Sequence, residues 1–125
     1  MGLKPKLKPG RHHPITVEPA GGRVRVRFRG REIASTERAL VLTEATYPPV
    51  LYIPKRDVAT DALEPSSHET YCPYKGEASY YSLRHADRVA EYAVWTYESP
   101  YDAVAPIAGH VAFYPDQVEI EHDAA

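Results

Sequence analysis

From Arg23 to Arg29 the chain alternates, with Val24, Val26 and Phe28 apolar and Arg23, Arg25, Arg27 and Arg29 cationic. A period of two residues is that of a strand with one buried and one solvated face. Gly30-Arg31 predicts a tight turn, and residues 32–35 predict the returning strand. A second hairpin is predicted over residues 80–84 and 88–97, turning at His85-Ala86-Asp87. Residues 50–53, 111–114 and 117–121 read as further strands, the first ended by Pro54. Over residues 36–46 a short helical turn is expected, with Thr36 as its cap and Tyr47-Pro48-Pro49 as its stop. Residues 55–79 are polar and broken by Pro65 and Pro73, which reads as a loop. So long a loop in a small protein is either functional or a misreading of the segment. Residues 99–108, with Pro100 and Pro106, read as irregular.

The fold class that follows is mainly β: a single small domain of short strands and Pro-rich loops in a sandwich, barrel or folded sheet. Val50-Leu51-Tyr52-Ile53-Pro54 followed by Val58 is similar to Val111-Ala112-Phe113-Tyr114-Pro115 followed by Val118. Each follows a hairpin and an irregular connection, the signature of a pseudo-twofold repeat of three-stranded halves. Composition agrees. Twelve prolines interrupt any long helix, and ten tyrosines favour strands.

A length of 125 residues fits one domain, expected over residues 15–121. Residues 1–14 are basic and Pro-rich and read as a mobile tail. A net charge of −2 gives no general attraction to nucleic acid or anionic membrane, so neither is an expected partner. No apolar run approaches the roughly 20 residues of a membrane span, and no apolar stretch after Met1 suggests a signal peptide. Cys72 is the sole cysteine, which rules out an intrachain disulfide and suits a cytoplasmic setting. Oligomeric state is not readable from the sequence.

The most distinctive segment is Thr70-Tyr71-Cys72-Pro73-Tyr74-Lys75-Gly76. A thiolate is the reactive form of cysteine and a nearby cation favours it. Lys75 supplies a cation three residues on, and His68, His85 and His110 are candidate bases. The competing reading of Cys72 is a small buried hydrophobe. Pro73 and Gly76 predict a rigid, sharply turned loop that presents Lys75 toward a cleft containing Trp95, with the tolerance to substitution of a surface residue. His68 and Cys72 are four residues apart but lack a second ligand pair, so no metal site is expected. The aspartates form no Asp-x-Asp pair, the chain has no Gly-Ser dipeptide, and no phosphate-cradling glycine loop is present. Glu119 and Glu121 share a strand face, which reads more simply as a charged edge. The arginines at 23, 25, 27, 29 and 31 form a stripe, which a solvated strand face also produces. Tyr47, Tyr52, Tyr74, Tyr80, Trp95 and Tyr97 are candidates for a pocket lining, or for ordinary cross-strand packing.

Several ordered stretches together carry a resemblance. They are His13-Pro14-Ile15, Tyr47-Pro48-Pro49-Val50-Leu51-Tyr52-Ile53-Pro54, Cys72-Pro73-Tyr74-Lys75-Gly76-Glu77-Ala78, Trp95-Thr96-Tyr97 and Ile107-Ala108-Gly109-His110-Val111-Ala112-Phe113-Tyr114. Over residues 12–121 the chain resembles the domain-of-unknown-function 427 family. That resemblance implies a β-tent-like fold, shared with methionine sulfoxide reductase B and zinc-binding relatives, whose paired cysteines this chain lacks. It brings a nucleotidyltransferase-like name but no established activity, and shared fold does not transfer chemistry. The leading expectation is a domain that binds a small ligand beside the loop over residues 72–75, with no cofactor. Trp95, Tyr97, Tyr52 and Tyr74 would form its walls, Lys75 and Arg56 would hold an anionic group, and Glu44 or Glu64 would fix a polar one. The alternatives are a small enzyme, thiol-dependent through Cys72 or nucleotide-handling, and a protein-interaction module.

Overall fold

A computed structural model describes residues 4–123. Its strands are β1 (Ile15–Pro19), β2 (Arg23–Phe28), β3 (Arg31–Thr36), β4 (Leu40–Glu44), β5 (Val50–Pro54), β6 (Leu63–Cys72), β7 (Gly76–His85), β8 (Arg88–Thr96), β9 (His110–Phe113) and β10 (Glu119–Asp123). The helical elements among the described residues are short 3-10 segments at Lys55–Asp57, Thr60–Ala62 and Asp102–Ile107. The strands form two antiparallel sheets, a seven-stranded one in the order β1-β4-β5-β9-β8-β7-β6 and a three-stranded one in the order β10-β2-β3. The protein is thus a small mainly-β domain. No helix among the described residues is long and apolar enough to cross a membrane.

The alternation in β2 decides how the sheets meet. Val24, Val26 and Phe28 are buried, and they pack with Ile33 and Ala34 of β3 against Ile53, Leu83, Val94, Val111 and Phe113 of the larger sheet. The arginines of the opposite face meet carboxylates: Arg23 lies 3.1 Å from Glu37, Arg25 3.5 Å from Glu32, and Arg27 bonds Glu121 of β10. The other face of the larger sheet builds a second core from Leu42, Tyr52, Ala78, Tyr80, Tyr97 and Ala112. Val104 and Ile107 of the last 3-10 segment cover it.

Two expectations from the sequence are corrected here. Residues 40–44 form a central strand, not part of a helical turn, because Leu40-Val41-Leu42 pairs with β1 on one side and β5 on the other. Thr36 does accept the Arg38 N–H at 2.9 Å, yet it donates to Asp57 at 2.7 Å and so closes β3 instead of opening a helix. The expected loop over residues 55–79 contains β6, ten residues long. This strand lies at the sheet edge, where a polar sequence and Pro65 are tolerated because one side of the backbone needs no partner.

Residues 4–14 lie against the domain. Leu7 N–H donates to the Pro73 carbonyl at 2.9 Å, Tyr71 Oη donates to the Pro5 carbonyl at 2.7 Å, and Gly10 bridges His13. Residues 1–3 of the expected tail lie outside the described residues. Finally, the two similar segments are neighbours, with Ile53 opposite Val111 and Pro54 opposite His110. The hairpins that precede them are not equivalent: β2–β3 belongs to the small sheet and β7–β8 to the large one.

Candidate functional site

The β6–β7 hairpin turns at residues 72–76. Cys72 pairs with Gly76, and the Lys75 N–H donates to the Cys72 carbonyl at 3.2 Å. Gly76 has φ +112°, a conformation that a side chain resists. The Lys75 carbonyl accepts the Tyr101 N–H at 3.0 Å, which fixes the turn to the chain entering the last 3-10 segment. So held, Lys75 turns inward instead of toward solvent. It is only 9% exposed, its Nζ bonds Glu44 Oε1, and it lies 5.9 Å from the centre of the Tyr97 ring. The surface-like lysine expected from the sequence is a buried member of an ion pair.

Glu44 ends β4, where Ala45 adopts φ +48° and the Tyr47 N–H returns to the Glu44 carbonyl at 2.9 Å. The Ala45 N–H also donates to the Pro14 carbonyl at 2.8 Å, which brings the N-terminal segment to this corner. There His13 Nε2 lies 2.8 Å from Glu44 Oε2. An ionised carboxylate only accepts, so Nε2 carries the proton. The His13 ring stacks on Tyr74 at 3.9 Å with planes 8° apart. Burial pushes the Glu44 carboxyl up, but hydrogen bonds from Lys75 and His13 outweigh it and hold Glu44 below the usual carboxylate range.

Beside this triad opens a cleft of about 570 Å³. Strands β5 and β9 pair only at Ile53 and Pro54. Val50 and Leu51 on one side and Phe113 and Tyr114 on the other line the cleft. Trp95 forms a wall, with Nε1–H donating to Tyr52 Oη at 3.2 Å and its ring tilted against Tyr114 at 4.6 Å. Burial raises Tyr52 to about 12 and raises Tyr97 as well, so both stay neutral hydroxyls at ordinary pH. Tyr47, Pro48, Pro49 and Pro115 complete an apolar rim, and Glu44 is the one charged residue in the lining.

The fold therefore brings Lys75, Glu44, Tyr74 and Tyr97 together at the triad and Trp95 at the adjoining cleft, with Tyr52 buried in the second core behind Trp95. It does not bring Arg56 or Glu64. Arg56 borders a separate cleft with Arg38 and His110, and Glu64 pairs with Arg84 at 2.6 Å on the exposed side of β6. The two cations expected to hold an anionic group do not converge: Lys75 is matched by Glu44, and Arg56 is elsewhere. Cys72 is a half-buried free thiol that packs beside the second core. His68, a candidate base, stacks on Tyr92 at 4.5 Å and tilts against Tyr80 at 4.6 Å. No cluster of three metal-ligating side chains occurs among the described residues.

Sequence reasoning missed His13 and Tyr114. By sequence His13 falls in the basic tail, although His13-Pro14-Ile15 belongs to the stretches that carry the family resemblance. Tyr114 stood at the end of a predicted strand with nothing to mark its exposed face.

A family model described as a domain of unknown function, DUF427, matches residues 16–124. No curated protein matches the chain. The matched span covers the walls of the cleft together with Glu44 and Lys75, and it leaves His13 outside.

Proposed function

The chain belongs to the DUF427 family, and from that premise we propose that it is a binding domain for a small molecule, held in the cleft between β5 and β9. The observation that carries this reading is the placement of one ionised carboxylate, Glu44, in an otherwise apolar cleft walled by Trp95. Small-molecule sites have this composition: a concave apolar lining of roughly 300–1,000 Å³ with few, well-oriented polar groups. A buried carboxylate is costly unless it is paired. Lys75 and His13 supply the pairing from behind, so the fold maintains a charge that its core packing does not require. A cytoplasmic setting accompanies this reading, since Cys72 is a free thiol.

Nucleotidyl transfer, which the family's name suggests, receives no support from the acidic residues. Glu121 is engaged by Arg27 on the outer face of the small sheet, and Glu119 lies opposite the same arginine. Transfer of that kind needs carboxylates that converge on Mg²⁺ and phosphate.

Trp95 is the only tryptophan in the chain, so its emission reports directly on the cleft. Titration with a library of mono- and bicyclic ring compounds should yield ligands that shift or quench this emission saturably. A Val50→Phe variant, which fills the cleft, should lose the response while keeping its melting temperature within a few degrees. A library without a single saturable ligand, or ligands whose binding survives Val50→Phe, would overturn the reading.

A further inference from the structure

The charge state of the triad narrows the ligand class, an inference that rests on the cleft being a binding site. An ionised carboxylate offers about four acceptor positions, and at Glu44 Lys75 takes one on Oε1 and His13 one on Oε2. Acceptor capacity is left on Glu44, which is among the residues lining the cleft. Its charge, however, is already balanced by Lys75. A cationic ligand would lose its hydration in an apolar cleft without finding a net negative charge, which is costly. An anionic ligand would meet a carboxylate. A neutral N–H or O–H suffers neither penalty and forms a charge-assisted bond.

The walls add a shape. The rings of Trp95 and Tyr114 are tilted 50° to one another, and Pro48 and Pro49 line the same cleft. Flat aromatic and proline surfaces favour a planar ring that stacks in offset or edge contact. We propose that the cleft selects an uncharged, ring-bearing molecule that donates one N–H or O–H to Glu44, the chemistry of an aryl amide or aryl alcohol.

The test is a charge series on one ring, measured by isothermal titration calorimetry on the full chain. The probes are 2-naphthamide, naphthalene, 2-naphthoate and 2-naphthylmethylamine. The amide should bind tightest, by on the order of tenfold over the other three, the size of one charge-assisted hydrogen bond. In a Glu44→Leu, Lys75→Met variant, which removes both charges and strands neither, the amide should fall to the level of naphthalene. If the amine or the carboxylate binds tightest, the neutral-donor class is wrong while the cleft remains a binding site. If the amide keeps its advantage in the double variant, Glu44 is not its acceptor and the proposal falls. If none of the four binds while another compound of the library quenches Trp95 saturably, the neutral ring-bearing class is wrong and the cleft remains a binding site.

Discussion

Lys75 shows how one side chain changes meaning when its surroundings are known. By sequence it is a lysine on a polar loop between Pro73 and Gly76; in the fold it is buried against Glu44 and the Tyr97 ring. Removing one member of a buried pair leaves the other unpaired and costs about 3 kcal/mol, whereas replacing both with apolar groups is often neutral. Lys75→Met should therefore destabilise the protein by about that amount in urea unfolding, and Glu44→Leu with Lys75→Met should recover part of the loss, the His13 Nε2–H being left without its acceptor. Acid unfolding supplies a second readout of the same pair. The Glu44 carboxyl is held below its unfolded value. Its contribution is then complete above the unfolded carboxylate range, at about pH 4–5, and is lost as pH falls through the depressed folded value. The double variant should lack that part of the acid limb. Equal stability of Lys75→Met and the parent would mean that the pair does not hold Glu44. Tyr74 was legible because it lies in the rigid turn itself, while Glu44 and Tyr97 were legible only as residue types that line pockets, Glu44 being 31 residues from Lys75. His13 was not, since it sits in a basic, Pro-rich segment where nothing local marks it.

At the scale of elements, legibility followed burial asymmetry. Strands β2, β7 and β8 bury alternate residues or turn at a recognisable corner, and their sequences announce them. Strand β6 is polar along most of its length because it is an edge, so no periodicity marks it. Strand β4 is apolar at consecutive positions, a pattern that periodicity cannot distinguish from a helical turn. What decides each case is the neighbouring strand, and pairing is a property of the fold. The turn between β6 and β7 illustrates the same dependence. At Gly76 an added Cβ would sit at ordinary contact distance from the Ser99 carbonyl, 3.5 Å away, so space is not the obstacle. Backbone conformation is: at φ +112° an L side chain is strained. Gly76→Ala should cost more than about 1 kcal/mol in chemical denaturation and should weaken any ligand of the cleft, because the turn that aims Lys75 at Glu44 would shift. A Gly76→Ala protein as stable as the parent would show that the turn tolerates a side chain and does not constrain Lys75.

The whole molecule is organised around the larger sheet, with the small sheet on one face and the last 3-10 segment on the other. Strand β5 meets β9 in the middle of that sheet, and their short pairing opens the cleft there. Residues 4–14 attach to this arrangement mainly through exposed contacts. Lys4 and Glu77 lie 2.5 Å apart with both side chains more than half exposed, an interaction worth little in water. The exception is His13, which reaches Glu44 from outside the span matched by the family model. Both buried cores draw their members from residue 15 onward, so the domain should fold without the segment, while the triad should not be complete. A chain lacking residues 2–13 should keep the far-ultraviolet circular dichroism of the full protein and lose only about 1–2 kcal/mol of stability, the scale of one charge-assisted hydrogen bond with its packing. Affinity for a cleft ligand that bonds Glu44 should fall, and a His13→Ala substitution in the full chain should reproduce much of that fall by removing both the Nε2–H donor to Glu44 and the stack on Tyr74. An unfolded truncated chain would make residues 2–13 an integral part of the domain. Unchanged affinity would remove His13 from the site and leave Glu44 to Lys75 alone.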